Sequence, residues 1–287
     1  MLVDHRYSRD EAAEATGLSL SDLDAAVSRL GLDTRRLPDL GDTIRIRPYP
    51  GGRDPYLPHP DVIEDMRRET KVSVFAPWDP TSYVVADIPE AIWENETELL
   101  YLAHRHVTQL DRVASVWDRA GVVLETAEWS RPSDRELTMT QTLPDGVVFG
   151  TNVVAEESAV RMEIWLRNGS TRDISGLQLQ NCLLFKGAPG FQAPIGYNRV
   201  AQSPYVAAPI EPAQDRWVIT AWEPVLRIWT NPVYACIHSD PTLPDCAVGE
   251  TVRTRGWLSF FEGRDVRAEF ARIEALRWWE DPVGATS

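Results

Sequence analysis

The chain has 287 residues, 43% of them hydrophobic, and a formal net charge of −14 at pH 7. That content suits a sizeable core in one large domain, or one domain with a small appendage. The acidity argues against nucleic acid, which selects a basic face, and against an acidic membrane surface. No run of about 18 apolar residues occurs, and no basic segment leads into an apolar one near the start. Neither a membrane span nor a signal peptide is therefore expected, and the expected location is cytoplasmic. Cys182, Cys236 and Cys246 are few and odd in number, which fits free thiols in a reducing compartment. In an exported protein, Cys236 and Cys246 are close enough to close a small disulfide loop.

Residues 1–35 read as a helical hairpin. Ser8 and Glu11 form a capping box for a first helix that Gly17 stops. Ser19 or Ser21 caps a second, in which Leu23, Ala26, Val27 and Leu30 recur at helical spacing before Gly31. The pair resembles a helix-turn-helix, yet its second helix offers Asp22, Asp24, Ser28 and a lone Arg29. Those side chains do not favour DNA phosphates. Packing on the main domain, or self-association into a homo-oligomer, is the expected use. Residues 36–68 form a linker broken by Pro38, Pro48, Pro50, Pro55, Pro58 and Pro60. Within it Arg53, in a Tyr-Pro-Gly-Gly-Arg-Asp-Pro-Tyr loop, is a candidate clamp on a polar substrate.

From residue 69 to the end the texture is that of one β-sandwich domain. Strands are expected over 71–75, 83–88 and 99–108, with a short helix or turn over 89–93. Leu110, Val113, Ala114 and Trp117 then predict a helix over 109–120, capped by Gly121. Further strands are expected over 122–129, 136–141, 147–154, 159–167, 176–185, 216–222, 227–229 and 251–261. Asp145-Gly146 and Asn168-Gly169 mark tight turns between alternating runs. Val266, Phe270, Ile273 and Leu276 predict a closing helix over 264–279. Strands this frequent imply an antiparallel sandwich or barrel.

Within 99–108, His104 and His106 are two apart and so share a strand face with Leu100 and Leu102. Two imidazoles at that spacing can bind one divalent metal, with Zn, Mn or Fe as the candidates. Glu125 or Glu128 would complete the set. The two lie on opposite faces of the next expected strand, and Glu128 is the expected third metal ligand. Residues 236–246 read as a Pro-rich loop that concentrates Cys236, His238, Asp240, Asp245 and Cys246. Its Cys-x-His is compatible with zinc, and a closed structural site would need a fourth ligand from elsewhere. Alternatively His238 is a general acid or base oriented by Asp240. The eleven tryptophans are numerous. Trp129 beside Glu128, Trp222 beside Glu223, and Trp229 fit sugar recognition, in which flat rings stack on C–H faces and carboxylates bind hydroxyls. No dinucleotide fingerprint, phosphate loop, Gly-x-Ser-x-Gly or His-Glu-x-x-His is present, so no nucleotide cofactor is expected.

The segment 160–185, VRMEIWLRNGSTRDISGLQLQNCLLF, resembles the repeating hairpins of galactose-mutarotase-like β-sandwiches. The resemblance implies a large antiparallel sandwich and a carbohydrate ligand; the helical hairpin read over residues 1–35 precedes it. His104-x-His106 with Asp111 resembles the first metal motif of cupins. The second motif departs, since Pro194-Ile-Gly196 is followed by Arg199 where histidine belongs. Together these readings predict a carbohydrate-active lyase or isomerase that takes a small-molecule or oligosaccharide ligand. Its chemistry would be metal-assisted or His/Glu acid–base, with His104, His106, Glu125, Glu128 and His238 as the catalytic set. Arg53, Trp129, Trp222, Glu223 and Trp229 would bind substrate. A non-catalytic carbohydrate-binding or assembly module, and a cupin-like oxygenase or isomerase, are the alternatives.

Overall fold

Alternating segments bounded by Gly, Pro and Asn pair into two antiparallel sheets. The computed structural model describes residues 1–34, 41, 43–51, 69–79, 81–103, 114–187, 199–209, 215–230 and 235–284. The first sheet contains β1 (Ile46–Pro48), β2 (Lys71–Phe75), β3 (Tyr83–Glu94), β9 (Leu177–Gly187), β14 (Cys236–Pro241) and β13 (Val225–Thr230), in that order. In it β4 (Glu98–Leu102) pairs with the far end of β3. The second runs β10 (Val200–Gln202), β11 (Tyr205–Pro209), β12 (Arg216–Glu223), β15 (Thr251–Glu262), β8 (Val160–Arg167), β7 (Val148–Ala155), β6 (Glu136–Thr142), β5 (Ser130–Ser133). The expected mainly β, antiparallel sandwich is therefore the fold observed.

The sheets pack face to face over one apolar core. Val72, Val84, Ile92, Leu183 and Ile237 come from the first sheet, and Phe149, Met162, Ile164, Val218 and Leu258 from the second. The two outer faces differ. That of the second sheet is apolar around Tyr205, Ile219 and Trp257, where helix α4 (Val266–Ala275) closes it with Val266, Phe270 and Ile273, and charged beyond them, where Arg253 and Arg255 pair with Glu163. Asp265 caps that helix, which ends sooner than its apolar spacing implied, with Arg277 in the left-handed region at φ 49°. The outer face of the first sheet is mixed, with Lys71, Asp87, Cys182 and His238 beside the apolar set Phe75, Tyr83 and Val85.

The hairpin helices are α1 (Arg9–Thr16) and α2 (Leu20–Arg29). Ser8 and Glu11 make the capping box, and Ser19, rather than Ser21, caps α2. Tyr7, Ala12, Leu23 and Val27 give the pair its own small core. The segment before α1 ties it to the first sheet. His5 Nε2 lies 2.8 Å from Ser73 Oγ, and Tyr7 donates to the Gly51 carbonyl at 2.8 Å.

Four expectations need correction. Residues 122–129 form no strand, because pairing at that edge starts at Ser130 and involves only Ser130 and Ser133 opposite β6. Residues 89–93 are neither helix nor turn, since β3 runs through them with a bulge. The segment 236–246 is not all loop: Cys236–Pro241 is a strand between two neighbours, every residue of it buried. Its cysteines are free, as all three are. The helix over 109–120 is reduced, in the described part, to one turn at α3 (Val116–Arg119), with 109–113 outside the described residues. There the Trp117 indole donates to the Leu100 carbonyl at 2.9 Å, which ties α3 to β4.

The two Gly turns read from the sequence meet each other. A Cβ on Gly146, which sits at φ +94°, would come within 2.6 Å of the Gly169 carbonyl oxygen, and one on Gly169 would strike the Gly146 carbonyl. Backbone cannot yield as a side chain does. Gly169→Ala is expected to cost about 1–3 kcal/mol, read as a lower urea midpoint with an unchanged slope.

Candidate functional site on the outer face of the first sheet

Register decides which side chains share this face. Cys182 stands opposite Asp87 on one side and His238 on the other, and His238 stands opposite Trp229. Directly paired residues of antiparallel strands point the same way. One row across four strands is therefore Asp87, Cys182, His238, Trp229. The next row contains Gln180, opposite Ala91, and Arg227, opposite Asp240.

A bulge brings a carboxylate into this array. Between the pairs Asp87↔Cys182 and Ala91↔Gln180, β3 spends Ile88, Pro89 and Glu90 against the single Asn181 of β9. Extra residues kink a strand and re-aim its side chains. The Glu90 carboxylate accepts from Gln180 Nε2 at 2.8 Å and lies 3.9 Å from His238 Nδ1. The bulge leaves the Ile88 carbonyl off the β9 ladder, and Thr151 of the second sheet donates to it at 2.8 Å.

Asp240 organises the other side. The β9–β14 ladder stops at His238↔Cys182, so the next amide, Asn181 N–H, needs another acceptor. Asp240 Oδ1 supplies it at 3.0 Å, while Oδ2 accepts from Arg227 Nε and Trp229 Nε1, both at 2.7 Å. Burial pushes the Asp240 carboxyl above the ordinary carboxylate range, and these donors and His238 only partly offset that. The Trp229 ring, held by that bond, stacks on His238 with centroids 3.7 Å apart and planes 15° apart.

His238 is thus fixed on both edges. Its Nε2 is 3.5 Å from Cys236 Sγ, and its Nδ1 is 3.8 Å from Asp240 Oδ1 without a hydrogen bond. Burial disfavours the charged ring. Contact with Cys236 and the carboxylates of Glu90 and Asp240 outweighs it, and the pKa lies above the usual histidine value. Burial also pushes the Cys182 thiol up, with Cys236 as its nearest polar neighbour. From outside inward, the Arg227 side chain is 53% exposed, that of Glu90 13%, and that of His238 3%. An approaching ligand meets Arg227, Trp229 and Glu90 before it reaches the imidazole.

Farther along the same face Lys71 Nζ pairs with Asp87 Oδ2 at 2.9 Å, both side chains fully buried, and Thr70 donates to Asp87 Oδ1 at 2.5 Å. Tyr49, Phe75, Tyr83 and Val85 close the end beyond them, with the His5 ring 5.0 Å from that of Tyr83.

Of the residues singled out from sequence, the structure brings together Cys236, His238, Asp240 and Trp229. His104, His106 and Arg53 lie outside the described residues, as does Asp111. Glu125 and Glu128 are exposed and precede β5, at the edge of the second sheet. Glu125 lines an open groove against Thr140–Pro144 of that sheet. Trp129 packs half-buried against the main core. Trp222 is a core residue, 1% exposed, lying on Gly256, where a Cβ would fall 2.7 Å from its indole ring. Protein packs both its faces, so stacking on a ligand is corrected to a core role. Glu223, next along β12, points the opposite way; burial and then Glu274 raise its carboxyl pKa. Glu90, Gln180, Cys182 and Arg227 had not been singled out. The Cys-x-His spacing was visible, but its partner on β9 was not.

In class the chain is a two-sheet antiparallel β-sandwich with a Glu/His/Asp constellation on one outer face, its histidine and aspartate buried. Neither a protein-family model nor a curated protein matches its sequence. Similar solved structures include a protein described as a kojibiose phosphorylase from the human microbiome, with TM-score 0.40 and 8% identity over 69% of this chain. They also include heparan sulfate lyase HepC from Pedobacter heparinus, with TM-score 0.38 and 8% identity over 90% of this chain. A third is the Slr1438 protein from Synechocystis sp. PCC 6803, with TM-score 0.36 and 9% identity over 67% of this chain and 88% of its own. The chain spans 26% of the length of the phosphorylase and 43% of that of the lyase. At such identities no site residue is transferred from any of them. No helix of the described residues is long and apolar enough to cross a membrane.

Proposed function

We propose that the protein is an enzyme that moves a proton on a sugar or related polyhydroxylated compound, as a lyase or isomerase does. The observation that supports this is the Glu90–His238–Asp240 constellation beneath Arg227 and Trp229. Glu90 is the proton-transferring group, because it is the carboxylate of the set with solvent access. Gln180 orients it through a 2.8 Å bond, and the His238 ring 3.9 Å away answers its charge. Arg227 binds hydroxyl or carboxylate oxygens, and the free surface of half-buried Trp229 takes an apolar sugar face. Glu90 takes the proton from carbon and then returns it, to the neighbouring carbon in an isomerisation or to the departing oxygen in an elimination, where the C–O bond breaks as the double bond forms. His104 and His106 enter the proposal as metal ligands or a second base, tested by replacing them in the same assay. A reducing, cytoplasmic setting belongs to the reading, since all three cysteines are free thiols.

The test is solvent exchange. A panel of aldoses, ketoses, uronic acids and their oligosaccharides is incubated with the protein in D2O and read by mass spectrometry. At least one compound should gain carbon-bound deuterium or an unsaturation. Glu90→Gln should slow this about 100-fold or more, within the usual contribution of a general base. A compound that binds without exchange, with affinity unchanged in Glu90→Gln, would make the protein a binding module instead.

A further inference from the structure

Three soft donor atoms converge beneath Glu90. Cys182 Sγ, Cys236 Sγ and an imidazole nitrogen of His238 all lie within 4.8 Å of one another, and all three residues are buried. They come from two adjacent strands. Cys236 and His238 are two apart on β14 and so share a face, and Cys182 is the direct partner of His238 on β9. The Cys236 Sγ to His238 Nε2 separation is 3.5 Å. Bond lengths of about 2.3 Å to sulfur and about 2.0–2.1 Å to nitrogen at a tetrahedral angle place the two ligand atoms roughly 3.6 Å apart. That pair therefore already has the spacing of two ligands on one ion.

The surroundings are those of a held ligand set. The Trp229 stack fixes the imidazole plane, and the Nδ1 edge, turned from the thiols, faces Asp240 and Glu90 at 3.8 and 3.9 Å. A carboxylate behind the far nitrogen of a metal-binding histidine orients the ring and raises its basicity. Two thiolates also neutralise a divalent cation, which lowers the cost of placing it in a buried site. The cluster is distinct from the third cysteine. Cys246 lies in the separate pairing with Ile174, its thiol directed at the Glu250 carbonyl.

We infer that Cys182, Cys236 and His238 bind one thiophilic divalent cation, zinc by the chemistry of the donors. Each thiol that binds releases its proton to solvent, so uptake is accompanied by acid release. A role for the ion in polarising substrate rests on the proposed function above, but its binding does not.

The experiment uses the full chain, purified under reductant and titrated with Co2+. One ion per chain should bind with the intense near-ultraviolet band of thiolate-to-cobalt charge transfer, and Zn2+ should displace it. Cys182→Ser and Cys236→Ser should each lose most of that band, and Cys246→Ser should keep all of it. X-ray absorption of the zinc-loaded parent gives an answer even where a variant fails to fold: two sulfurs and at least one nitrogen in the shell are expected. A shell without sulfur, no charge-transfer band, or a band retained in Cys182→Ser overturns the assignment. A bound ion without deuterium exchange in any sugar would leave the metal site standing and remove the proposed activity.

Discussion

Lys71→Met is expected to lower the stability of the protein by about 3–5 kcal/mol, the usual cost of stripping one partner from a buried ion pair. The reason is local. Lys71 Nζ is the cation 2.9 Å from Asp87 Oδ2, both side chains are fully buried, and Asp87 then retains the Thr70 hydroxyl as its close donor. A lone carboxylate there must either remain charged without water or take up a proton, and both are unfavourable. Urea denaturation followed by circular dichroism should show the midpoint fall with its slope preserved. The double variant Lys71→Met/Asp87→Leu removes both charges and should recover most of the loss, because a well-packed apolar pair often equals a buried salt bridge. An unchanged midpoint in Lys71→Met would show that the pair is not buried as described. The pair stands one strand from Cys182, so it also holds β2 and β3 in the register that builds the site.

Asp240→Ala is expected to cost about 2–4 kcal/mol, since it strips the acceptor from more than one buried donor at about 1–3 kcal/mol each. Asn181 N–H and Trp229 Nε1 both lose their partner, while Arg227, half in solvent, is less affected. Asp240→Asn does not rescue fully. Its amide presents one oxygen, whereas donors arrive at both carboxylate oxygens, so its NH2 must face an N–H. The diagnostic readout is the Trp229 indole N–H resonance, which should move upfield as its bond to a carboxylate is lost. With that bond gone the stack on His238 loosens. Any sugar affinity carried by Trp229 should fall with it, whereas an Asp240 with no part in placing Trp229 for a ligand would leave the affinity unchanged.

Much of the architecture was legible in the chain. Period-two alternation in 71–75, 136–141, 147–154, 160–167 and 251–261, with Gly-containing turns between, is local information, and it led to antiparallel strands observed at those places. The same holds for Ser8, Glu11 and Gly17, whose capping roles depend on residues three or four positions away. Where expectation failed, the deciding interaction lay elsewhere in the molecule. Cys236–Pro241 lacks alternation because both its faces are buried, and so it read as loop. Trp222 and Trp229 are similar as sequence, yet one lies between the sheets and the other stacks on His238, because register assigns them to different faces.

The candidate site shows the same division. The residues themselves announced an acid–base or thiophilic group at Cys236-x-His238, because thiols, an imidazole and carboxylates are concentrated in one short segment. Which groups meet it was decided by strand pairing. Cys182 lies 54 positions before Cys236 in the sequence, and Glu90 reaches His238 only because β3 spends three residues against Asn181. Neither fact has a local signature. Composition and periodicity determined that this chain folds as an antiparallel sandwich with polar and apolar faces. The order of β3, β9, β14 and β13 in one sheet decided where its chemistry is concentrated, since pairing between distant strands is set by burial of the whole face and not by any one segment.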